Sequence, residues 1–116
     1  MKITQLLDNV YYLPGEIIEI ENDIAKMRGT GDPVWDEVIE IKSQRLHRAE
    51  AELQRGIDLI ASVEQTDPTL YQILVMRYIQ GESWRTVAAT MPARATLDGY
   101  KRKLQRWIKK QESTKV

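Results

Sequence analysis

The chain contains no cysteine and a single histidine, His47. Without thiols it forms neither disulfides nor thiolate metal sites, and one imidazole argues against a histidine-based metal or catalytic centre. No apolar run approaches the roughly 20 residues that a membrane-spanning helix needs. The opening stretch MKITQLLDNVYY has no signal-peptide apolar core, because Asp8 interrupts it, so a soluble intracellular protein is expected. Catalytic equipment is scarce too. There is no nucleophile–base pair, no phosphate-cradling glycine loop and no metal cluster. A non-enzyme is therefore expected, and no cofactor is implied. Glu16, Glu19, Glu21 and Asp23 are not gathered at ligand spacing and read as a solvated face.

Net charge is also missing, at +0, yet the zero conceals a sorting by position. Residues 1–68 carry 7 Lys/Arg and 14 Asp/Glu, a balance of −7. Residues 69–116 carry 10 and 3, a balance of +7. A basic module is joined to an acidic one, and the basic part suits a polyanion partner that the acidic part would repel. The length of 116 residues allows one ordinary domain or two small modules, and 42% hydrophobic residues argues against wholesale disorder.

Helical punctuation covers the chain. Ile3, Val10, Ile17 and Ile24 recur every seven residues, and Leu6, Leu13, Ile20 and Met27 form a second series. Their alternating spacing of three and four lays one apolar seam along a helix. Proline in a helix interior costs about 3 kcal/mol, so Pro14 predicts a kink that keeps the seam on one side. The stretch from Arg28 to Pro33 breaks the pattern. Gly29 suits a C-terminal cap, Asp32 an N-cap and Pro33 a first helical position. A second helix is expected to about Val63. Its seam is Trp35, Ile39, Leu46, Ala49, Leu53, Gly56 or Ile57, and Ile60, weakened at Lys42 and Gly56. The short connection predicts an antiparallel hairpin. The same heptads could instead pair between chains as a homodimer through the N-terminal helices.

Thr66-Asp67-Pro68 repeats the start signal. A third helix is expected over Pro68 to Gln80, with Leu70, Leu74 and Tyr78 inward, ended by Gly81. Ser83 can cap a short fourth helix from Trp84 to about Thr90. Pro92 interrupts, and a fifth helix follows from about Arg94 to Gln111, with Leu97, Tyr100, Leu104, Trp107 and Ile108 on one face. Glu112 to Val116 are expected to fray. No strand alternation is present. The expected fold is all-α: a long, acidic, heptad-patterned antiparallel helical hairpin over residues 1–66, then a basic helix-turn-helix module over residues 67–116.

The segment Leu70 to Ile108 carries the functional signal. A short helix with Val87 and Ala88 inside, a tight connection and a longer basic amphipathic helix form the layout of a helix-turn-helix. In that motif the first helix braces the backbone of duplex DNA, and the first turns of the second enter the major groove. The last helix carries Lys101, Arg102, Lys103, Arg106, Lys109 and Lys110 against Asp98. Each phosphate neutralised by such cations contributes about −0.9 to the log–log salt slope of binding. The blander account is a solvated face that balances the helix macrodipole. Position directly after a turn pattern, opposite an apolar face, favours the DNA reading.

The run LVMRYIQGESWRTVAATM, followed by a basic helix, resembles the C-terminal helix-turn-helix (region four) of bacterial sigma factors. The whole chain resembles small phage-encoded regulators of the RinA/ArpU kind, which place an acidic, heptad-rich helical half before such a motif; the best-matched part is Leu74 to Ala88. The resemblance implies control of late phage transcription, promoter DNA as ligand, RNA polymerase as a further partner and the bacterial host cytoplasm as location. It places base-facing positions on Arg94, Ala95, Thr96, Asp98 and Gly99, with Arg102 one turn later. Lys101, Arg106 and, on the preceding helix, Arg85 complete the expected DNA-binding set.

Three positions depart from that pattern. Ala93 stands where a Ser or Thr cap is usual, an omission that costs ~1 kcal/mol. Asp98 repels phosphate, although it can accept a hydrogen bond from cytosine N4. Gly99 costs ~1 kcal/mol relative to alanine in a helix. They motivate an alternative: a non-enzymatic interaction protein that docks on RNA polymerase or another phage protein, its helix-turn-helix a relic. Trp84 is expected between the helices of the motif, and Arg77 either paired within the chain, for instance with Glu82, or solvated. Trp35 and Trp107 are expected in core or interface, and His47 at the surface.

Overall fold

The computed structural model describes residues 2–91 and 96–113. These form an all-α chain with no strand among the described residues. Two long helices, α1 (Ile3–Gly29) and α2 (Asp36–Ala61), lie antiparallel. Their contacts run in opposite chain directions: Asp23 meets Lys42 at 3.2 Å, Glu16 meets Arg45 at 2.6 Å, and Val10 packs on Gly56. The heptad seam closes this hairpin. Ile3, Leu6, Val10, Leu13, Ile20 and Ile24 are buried, and Ile17 and Met27 are half-buried. Of the two readings the seam allowed, the intrachain one is observed, so those side chains are not available to pair between chains.

Helix α1 runs without a break through Pro14, which is exposed. Its missing N–H removes one hydrogen bond, and the seam on both sides still reaches the same partner. The turn after α1 differs from the expected one. Gly29 is the last helical residue and Thr30 the cap, while Gly31 takes the left-handed conformation at φ +66°. Thr30 Oγ1 donates to the Met27 carbonyl at 2.7 Å, so a side chain satisfies a carbonyl left open at the helix end. Asp32 Oδ1 then accepts from the Val34 N–H at 3.0 Å, and Pro33 opens a single 3₁₀ turn, Pro33–Trp35, that feeds α2.

The two weak points of the α2 seam have specific solutions. Lys42 is half-buried against α1 and held by Asp23. Gly56 is buried at a close crossing of the two helices. A Cβ there would stand 3.0 Å from the Leu6 main-chain oxygen and run into the Val10 side chain. The alternative seam residue, Ile57, points outward.

Asp67 caps the next helix, α3 (Pro68–Leu74), by accepting from the Leu70 N–H at 3.1 Å. The single helix expected to Gln80 is interrupted: Val75–Ile79 form a π-helical turn, with Gln80 N–H donating to the Val75 carbonyl at 2.9 Å. Within this wider turn Met76 is buried, and Tyr78, half-buried, packs against the core as expected. Gly81, at φ +68°, turns the chain, and its Cα side lies against the Tyr11 ring of α1. Then follow α4 (Trp84–Thr90) and α5 (Leu97–Ser113).

One core joins the base of the hairpin to the C-terminal elements: Leu7 of α1 and Ile60 of α2 pack with Leu70 and Leu74 of α3 and Leu104 of α5. Leu7, outside the heptad seam, is fully buried because the start of α1 has partners on two sides. A second cluster, Ile73, Met76, Val87, Met91 and Tyr100, ties α3, α4 and α5 together. No helix is long and apolar enough to cross a membrane among the described residues.

Candidate nucleic-acid interface

The short helix α4 begins where Ser83 Oγ accepts from the Thr86 N–H at 3.2 Å. Its inner face presents Val87, fully buried, with Ala88 half-buried beside it. Trp84 packs against both core clusters and so links α4 to the rest of the fold. Two cations attend its ring: the Arg77 guanidinium 5.0 Å and the Lys101 ammonium 5.8 Å from the centroid. Arg77 is neither solvated nor paired with the Glu82 carboxylate. Its Nη1 donates to the Glu82 main-chain carbonyl at 2.6 Å, which pins the turn between the π segment and α4. Arg85 is exposed on α4.

The start of α5 corrects the expected register. Thr96 lies outside the helix, and its Oγ1 accepts from the Gly99 N–H at 3.1 Å. This is N-cap geometry, so α5 begins at Leu97 and its cap is Thr96; the cap thought missing at position 93 is supplied three residues later. The Thr96 hydroxyl is thereby engaged with the backbone. Arg94 and Ala95, and with them Ala93, lie outside the described residues. Asp98 and Gly99 fall in the first turn. There Asp98 complements the positive end of the helix dipole, worth about 0.3–1 kcal/mol. At the other end the helix continues through Glu112 to Ser113, whose Oγ donates to the Lys110 carbonyl at 3.0 Å, so those two residues are helical rather than frayed.

Two faces of α5 are clearly separated. Tyr100 and Leu104 are buried and Leu97, Trp107 and Ile108 half-buried, facing the core as the apolar pattern required. On the opposite side Asp98, Arg102, Gln105 and Lys109 follow the i, i+4, i+7, i+11 spacing of one stripe, with Arg106 beside it, all exposed. Gln105 was not among the expected site residues, although its spacing of three from Arg102 marked it as a neighbour. The basic residues divide by role. Lys103 is tied to Asp67 at 3.0 Å, fixing α5 to the start of α3. Lys101 is half-buried toward Trp84. Arg102, Arg106, Lys109 and Lys110 face solvent.

Among the described residues no group of three or more His, Cys, Asp or Glu could hold a metal ion. No family model matches the chain, and neither a characterised protein nor a solved structure does.

Proposed function

We propose that this chain is a DNA-binding transcriptional regulator whose α4 and α5 act as a helix-turn-helix, with α5 in the major groove of promoter DNA. The observation that carries the reading is the solvent face of α5, which sets Arg102 and Arg106 beside Gln105 directly opposite the buried Tyr100 and Leu104. The side chains suit the task. Arginine forms bidentate hydrogen bonds with guanine, and glutamine does so with adenine. Asp98, near the entry of the helix, is placed to accept from cytosine N4. Lys109, Lys110 and Arg85 serve phosphates, which set orientation rather than sequence. The likeness to sigma region four and to phage regulators of the RinA/ArpU kind supports late phage promoters as the target, RNA polymerase as a second partner and the host cytoplasm as the location.

A second reading is favoured by one observation: Lys101 lies over Trp84 and Lys103 is paired with Asp67 at the surface, which leaves fewer unengaged cations for DNA than the sequence suggests. In that reading the chain is an interaction protein and its helix-turn-helix a relic. The double variant Arg102→Ala, Arg106→Ala separates the two. The DNA reading expects at least about a tenfold loss of affinity for duplex DNA, while Lys26→Ala, Arg28→Ala on the hairpin leaves affinity unchanged. Equal binding by the parent and the α5 variant would sink the major-groove assignment.

A further inference from the structure

The hairpin tip displays apolar side chains that nothing among the described residues covers. Val34 is 69% exposed, Ile41 59% and Trp35 38%. Val34 lies in the 3₁₀ turn that feeds α2, and Val38, half-buried, and Ile41 follow three residues apart on the first turns of α2, so apolar side chains cluster at the tip. From Gly29 to Ile41 the chain carries four carboxylates, Asp32, Asp36, Glu37 and Glu40, and no Lys or Arg. All four are exposed. The ion pairs that lace the hairpin, Asp23–Lys42 and Glu16–Arg45, begin only beyond this segment. At 1.5 Å per residue, this cluster stands roughly 30 Å along α2 from the core that holds α5. A chain bound to DNA through α5 would still present it.

We propose that this tip is a docking site for a basic amphipathic helix of another protein. An incoming amphipathic helix can lay its own apolar anchors on Val34, Val38 and Ile41, and the surrounding carboxylates select flanking Lys and Arg. The same carboxylates repel nucleic acid, anionic membranes and the tip of a second copy. The chain's own basic helix does not fit, because the solvent stripe of α5 is Asp98, Arg102, Gln105 and Lys109 and offers no apolar side chain. The proposal stands independently of DNA binding.

The test titrates the full chain into a fluorescein-labelled amphipathic helical peptide built from leucine and lysine, with a leucine–glutamate peptide of the same apolar pattern as control, and reads anisotropy. Saturable binding of the lysine peptide and none of the glutamate peptide is expected. Val34→Ser, Ile41→Ser removes the anchors and keeps the charge; Glu37→Lys, Glu40→Lys reverses the rim and keeps the anchors. Each is expected to weaken the lysine peptide about tenfold or more, and the serine variant to keep parental affinity for duplex DNA. Parental peptide affinity in either double variant overturns the proposal, since charge adhesion elsewhere would then explain the signal. A dimer of the chain in sedimentation equilibrium that disappears in the serine variant also overturns it, by making a second copy the occupant.

Discussion

Alanine at Gly56 and alanine at Gly15 ask opposite questions of the same hairpin. Both positions lie inside long helices, where alanine is favoured over glycine by about 1 kcal/mol. At Gly15 of α1 nothing lies within 4 Å of the added Cβ, so only that gain remains. At Gly56 of α2 the Cβ would sit 3.0 Å from the Leu6 carbonyl oxygen and inside the contact distance of Val10. The first neighbour is backbone, and both residues are buried, so relief requires the helices to move apart. Overpacking of this kind costs about 1–3 kcal/mol, which outweighs or cancels the propensity gain. Gly15→Ala should therefore exceed Gly56→Ala in stability by about 1–3 kcal/mol. For a chain of this size 1 kcal/mol shifts Tm by about 4 °C, so thermal melts followed by far-UV circular dichroism should separate the two variants by about 4–12 °C. Equal or inverted melting temperatures would refute the close crossing of α1 and α2 at Gly56.

Further predictions concern the C-terminal elements. Asp67→Ala should lose about 1 kcal/mol with the cap of α3, and slightly more with the exposed Lys103 pair, worth at most about 1 kcal/mol. Asp67→Asn keeps a capping oxygen and should recover most of the loss in urea titrations; a variant as unstable as alanine would show that the cap is not the cause. The Tyr78 phenol is raised above its ordinary value by burial first and by Asp8 second, with Arg77 opposing. Because its folded pKa lies above its unfolded one, the stability it contributes is fully present below about pH 10 and is lost as pH rises through the folded value. Tyr78→Phe should flatten that alkaline decline, and phenolate absorbance should lose a late-titrating component in the variant. An unchanged titration curve would contradict the burial of that phenol.

Much of the fold was legible because its signals are local. Asp32-Pro33, Asp67-Pro68 and Ser83 announce helix starts through side-chain oxygens and a fixed φ, and each does so in the structure. The heptads of α1 name nearly all its buried residues. What was not legible depends on partners distant in the chain. Leu7 reads as an off-seam leucine until α3 and α5 pack on it. Gly56 looks like a flaw in a seam until Val10 arrives. The π turn at Val75–Ile79 leaves no compositional mark, and it adds Met76 to the inward-packed residues beside the expected Tyr78. At the candidate interface the basic character of α5 was evident, but Lys103 and Lys101 could be assigned partners within the chain only once Asp67 and Trp84 were in place. The cap at Thr96 is not legible in the sequence, because the pattern places it inside a helix that starts near Arg94.

Binding of duplex DNA by the solvent face of α5 is tested most directly by the affinity for random-sequence duplex across a salt series. With Lys109, Lys110 and Arg85 on phosphates the log–log slope should be about −2.7, and about −4.5 if Arg102 and Arg106 also rest on phosphates of a random sequence. A slope near zero, or no binding at the lowest salt, would contradict the account and leave the helix-turn-helix as a protein-docking surface.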